Sequence, residues 1–151
     1  MKSKEFKNFE DFVLKVSNEG ENLIRIKMLR KRNGHESFNI HPVFRNSKLT
    51  GINVEKRVMP VDTFFPISLF EFVISILKKS ENTTLKRGIV QSKSKIGDQN
   101  LEKDSLEAKI AMKFYDKKVG DSVDRRVPVV ANILIQAGIC EHEKNHLKLK
   151  N

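Results

Sequence analysis

One cysteine, four prolines, no tryptophan and no uninterrupted apolar run set the first limits on this chain of 151 residues. The lone Cys140 excludes an internal disulfide, so nothing points to an oxidising compartment. The longest apolar stretch, Phe64 to Leu77, is broken by Pro66, Ser68, Glu71 and Ser75 and falls short of a membrane span. At the amino terminus, MKSKEFKNFEDFVLKVS interleaves acids with apolar residues and lacks the continuous apolar core of a secretory signal. A cytoplasmic location without a membrane partner is the expectation. No glycine-rich phosphate loop, nucleophile motif or dinucleotide fingerprint is present, so no cofactor is implied. Acids are also short, with 19 Asp and Glu against 29 Lys and Arg, a net charge of +10. A sequence pI near 9.8 is the electrostatic footprint of a polyanionic partner, nucleic acid or an anionic surface.

What is present suits a folded α+β protein: 38% hydrophobic residues, ten of the side chains Phe, are enough for a core. Phe6, Phe9, Phe12, Val13 and Val16 recur at helical spacing and predict a helix over residues 5–17. From Leu23 the period changes to two, and Asn33-Gly34 is a strong hairpin turn. Three antiparallel strands are expected, near residues 22–31, 36–45 and 51–59. They carry nine cations, Arg25, Lys27, Arg30, Lys31, Arg32, Arg45, Lys48, Lys56 and Arg57, against two acids, Glu36 and Glu55. Such a basic meander suits phosphate contacts or a homodimer surface; guarding of sheet edges accounts for a few of its cations. The organisation expected is therefore residues 1–62 as an N-terminal helix plus basic meander, and 63–151 as a second unit.

In that second unit, residues 66–79 read as a helix with Pro66 in its first turn. Residues 80–104 are polar, carry Gly88 and Gly97, and read as a long loop with a strand candidate only at Leu85 to Val90. Lys86 and Arg87 make its first half basic. Ser105 opens another helix, with Leu106, Ile110, Ala111 and Phe114 on one face. The segment GDSVDRRVPVVANILIQAGI follows, predicting a helix over residues 123–137 capped by Ser122 or Asp124. Residues 139–149 close the chain as a short hairpin turning near Glu143 to Asn145.

Helix, glycine-containing turn, helix ending in Ala-Gly-Ile, then hairpin: in that order residues 66–151 resemble the winged helix-turn-helix superfamily. The resemblance implies DNA binding, as a transcriptional regulator or a DNA-recognition component of a mobile-element or restriction-type system. It makes 123–137 the recognition helix, with Val127, Val130, Ala131, Leu134 and Ala137 toward the core. Arg125, Pro128, Val129, Asn132 and Gln136 fall on the opposite side, where they can meet bases or phosphates. Arg125 and Arg126 stand at the positive end of the helix dipole, ready to hold a phosphate or already paired with Asp116, Asp121 or Asp124. The expected nucleic-acid contacts are Arg125, Arg126, Val129, Asn132, Gln136, Lys144, Arg30, Lys31, Arg32, Arg45, Lys86 and Arg87, on double-stranded DNA.

Other chemistries find less support. Cys140, His142 and His146 form C-x-H-x₃-H, but a structural zinc wants four ligands and the two histidines read more simply as cross-strand neighbours. No cluster of carboxylates suits a metal-dependent nuclease, and Glu107 of the Glu-x-Lys at residues 107–109 reads as part of a capping turn. His35 and His41 beside Arg32 and Arg45 could serve acid-base cleavage of RNA, which keeps a nuclease or nuclease subunit as the alternative.

Overall fold

Ser3 starts the first helix, α1 (Lys4–Asn18), by accepting the Phe6 N–H on its hydroxyl at 3.2 Å. The computed structural model describes residues 2–18, 24–32 and 35–150, with the side chains of 16–18, 29–32 and 35 outside that description. Phe6, Phe9 and Val13 form the buried stripe of α1. Phe9 stacks on Phe70 of α2 (Ile67–Lys79), with ring centroids 4.9 Å apart. Glu5 and Lys78 pair between the same helices at 3.0 Å.

An antiparallel sheet follows in the order β1 (Ile24–Arg32), β2 (His35–Arg45), β3 (Lys48–Val54), β4 (Phe64–Pro66). Register sets Ile24 against Ile40 and Ile40 against Val54, so one apolar row crosses three strands and faces the helices. Arg25 and Lys27 alternate with the buried Ile24 and Ile26 and stand exposed on the opposite side. Three strands were expected, and the third ends at Val54 rather than 59. There Glu55 turns the chain, its carbonyl accepting from Val58 and Met59 N–H. The fourth strand, β4, is three residues long, too short for a period-two signal. The Asn33-Gly34 turn lies outside the described residues.

Pro66 caps α2 rather than entering it, and the helix buries Leu69, Phe70, Val73, Ile74 and Leu77. Residues 80–104 are tied down more than a loop reading implies. They contain a 3₁₀ turn at Glu81–Thr83 and β5 (Thr84–Lys86), and they bury Ile96 and Leu101 against Ala108 and Ala111. Ile96 exchanges backbone hydrogen bonds with the later connection: its N–H donates to Asp121 O and its carbonyl accepts from Gly120 N–H, both at 2.9 Å. Ser105 caps α3 (Leu106–Phe114) as the sequence predicts, accepting from Ala108 N–H.

The last helix, α4 (Val127–Gln136), begins four residues later than expected, with Arg126 at its cap and Pro128 in its first turn. The connection from α3 covers residues 115–126, so it is not a tight turn. Gly138, at φ 78°, closes α4, and Ile139 N–H returns to Leu134 O at 3.0 Å. β6 (Cys140–Glu143) and β7 (His146–Leu149) complete a second antiparallel sheet ordered β5-β7-β6. The protein is thus α+β, with four α-helices and two antiparallel sheets among the described residues. One core cluster joins α1, the first sheet, α2 and α4 with Leu147 and Leu149 of β7. Among the described residues no helix is long and apolar enough to cross a membrane.

Candidate nucleic-acid interface

The amino terminus of α4 already holds a carboxyl group. Glu107, on α3 and 2% exposed, accepts the Arg126 N–H at 2.8 Å and the Val127 N–H at 3.0 and 3.1 Å. A carboxyl group from the neighbouring helix therefore occupies the position where the sequence suggested phosphate. Burial pushes its pKa up to about 7, against the opposing pull of the two backbone N–H groups and the Arg126 and Arg125 charges.

Arg126 belongs to this interior. It is 4% exposed, its guanidinium carbon sits 3.4 Å from the Tyr115 ring centroid, and Nη2 lies 3.5 Å from Asp124 Oδ2. Of the two alternatives left by the sequence, pairing with an acid describes Arg126, which has no surface to offer a phosphate. Asp121 turns elsewhere and accepts Lys118 N–H at 2.9 Å. Arg125, by contrast, is exposed.

Val129 is buried, at 3% exposure, and so moves from the expected free face to the core. Ile133 is buried too; α4 is apolar over more of its circumference than a single stripe allows. The outer stripe left is Arg125, Pro128, Asn132 and Gln136, with Pro128 and Asn132 half-buried. Its carboxyl-terminal end meets β1, where Gln136 Oε1 accepts Lys27 N–H at 3.2 Å and occupies a donor on the free edge of the sheet. Gln136 thus makes an internal bond rather than waiting for a base.

Around the β6-β7 hairpin the cations differ in their commitments. Lys144 is exposed at the turn. Arg87 is a cross-link: Nε donates to His146 O and Nη2 lies 3.1 Å from His142 Nδ1. Lys86 is exposed but faces Glu102 at 3.3 Å, and the groove beside it is lined by Glu81, Glu102 and Asp104, an acidic setting that disfavours phosphate. His142 opposes Leu147, and His146 opposes Glu143, so the two histidines are offset by one residue and are not cross-strand neighbours. Cys140 is buried, and desolvation pushes its thiol up to about 12. Among the described residues no group of three or more His, Cys, Asp or Glu could hold a metal ion.

Of the cations expected on the first sheet, Arg45 is exposed at the end of β2. The side chains of Arg30, Lys31 and Arg32, like that of His35, lie outside the described residues. Sequence reasoning missed Glu107 and Tyr115 as partners of α4, because nothing local in either helix signals a contact made across the connection. The alternation in β1 did signal the outward pair Arg25 and Lys27. No family model, no curated protein and no solved structure matches the chain.

Proposed function

We propose that this protein binds double-stranded DNA without catalysing a reaction, using a winged-helix arrangement of α2, β5, α3, α4, β6 and β7. The observation that carries the reading is the strand order β5-β7-β6. A strand between the first two helices of the unit pairs with the last strand of the terminal hairpin, which sets that hairpin beside α4 as a wing. Arg125, Pro128 and Asn132 face the duplex, and Lys144 at the hairpin turn reaches a backbone phosphate. The net charge of +10 supplies the long-range attraction. Arg126 and Glu107 hold the helix in place and touch no DNA.

An electrophoretic shift on random-sequence duplex over a salt series tests this. The logarithm of the affinity should fall linearly with the logarithm of salt, and Arg125→Ala should reduce the slope by about one. Absence of any salt-dependent shift overturns the proposal.

A further inference from the structure

The outer face of the first sheet is open, basic and carries an exposed aromatic ring, and we infer that it is a binding platform for single-stranded nucleic acid. Phe64 on β4 is 37% exposed. Its ring lies over Gly51 of β3, where a Cβ would stand 2.4 Å from Cζ and 2.5 Å from Cε1. Glycine at that position lets the ring settle onto the sheet instead of standing away from it. Register extends the platform: Asn53 opposes both Phe64 and His41, while Arg25 opposes Asn39 in the neighbouring row. Arg25, Lys27, His41 and Asn53 are exposed. Two acids border this face: Glu55 is bound by Arg57 Nε at 2.6 Å and accepts Asn39 N–H, so its charge is offset locally, and Asp62 accepts Phe64 N–H at 3.1 Å.

Each component matches a demand of an unpaired strand. The Phe64 ring offers a stacking surface that any base can use, and Arg25 and Lys27 attract phosphates. Asn53 presents both donor and acceptor to a base edge. From β4 to β1 the face spans about 14 Å at the usual strand spacing, room for a short run of nucleotides. A duplex would bury its bases away from such a ring, so charge and aromatic together favour the single strand. None of these residues serves the duplex proposal, although both involve nucleic acid.

Fluorescence anisotropy with labelled oligothymidylate and oligouridylate of about 12 nucleotides tests the inference and separates DNA from RNA as the source. At low salt the full chain should bind at least one of them. Phe64→Leu, which keeps an apolar cover over Gly51, should weaken that binding about tenfold with an unchanged thermal midpoint. Arg25→Ala with Lys27→Ala, at exposed positions the core does not need, should lower the salt slope by up to about 1.4. Absence of oligonucleotide binding, or any other response of the two variants, overturns the platform. So does a dimer in sedimentation that Phe64→Leu dissociates while no oligonucleotide binds, which would assign the face to a second copy of the chain. Duplex shifts with Arg125→Ala are scored separately: losing the duplex alone removes only the previous proposal, and losing the oligonucleotide alone removes only this one.

Discussion

Glu107 shows how a single buried side chain can settle the use of a helix end. Its carboxyl satisfies donors that α4 would otherwise leave unpaired, and each orphaned buried N–H costs about 1–3 kcal/mol. Glu107→Ala should therefore lower stability by about 2–4 kcal/mol in urea denaturation. The pH dependence has a definite sign. Because the folded pKa is raised from 4.5 to about 7, the contribution of this group is fully present below 4.5 and is lost as pH rises through 7. The loss is on the order of 3 kcal/mol. Glu107→Gln has no such titration, so the stability of the native protein relative to this variant should fall between pH 5 and pH 8, by about that amount. A relative stability that grows with pH would contradict desolvation as the dominant influence on Glu107.

Among the elements, those with a local signal were legible in the sequence. Ser105 marked the start of α3, the phenylalanine spacing marked α1, and the change to period two marked β1 and β2. Elements defined by distant partners were less so: β4 gave no signal, and β5, expected as a strand candidate at Leu85 to Val90, spans Thr84–Lys86. β4 exists because Phe64 to Pro66 pair with Asn53 to Gly51, and β5 because Thr84 to Lys86 pair with β7. The start of α4 shifted for the same reason: Ser122 and Asp124 are plausible local caps, but Glu107 of another helix supplies the acceptor. Residues 80–104 read as a loop since Ile96 and Leu101 are isolated apolar positions in a polar stretch. Both are buried against α3. Leu101→Ala should accordingly cost about 2–4 kcal/mol by thermal or urea denaturation, whereas a mobile loop would lose almost nothing.

Across the whole molecule, the sequence suggested an N-terminal basic meander and a separate C-terminal unit, whereas one apolar cluster runs through both. Phe9 of α1 and Leu134 of α4 belong to it and are fully buried. Unfolding followed by circular dichroism should then show a single transition whose midpoint is lowered by Phe9→Ala and by Leu134→Ala alike. Two separable transitions, each sensitive to one substitution, would contradict a shared core. This packing also explains why Val129 and Gln136 do not lie on the free face that the sequence predicts. A helix read in isolation has one buried stripe, but α4 also meets the edge of the first sheet, where Gln136 accepts Lys27 N–H, and Val129 is buried in the shared core. Its exposed charge is reduced to Arg125. The most direct measurement is the salt dependence of duplex binding for Arg125→Ala beside Arg126→Ala. The slope should fall by about one for Arg125→Ala and stay unchanged for Arg126→Ala, whose loss should appear instead as a lower thermal midpoint. Equal loss of slope in both variants, or no loss in either, would contradict the account.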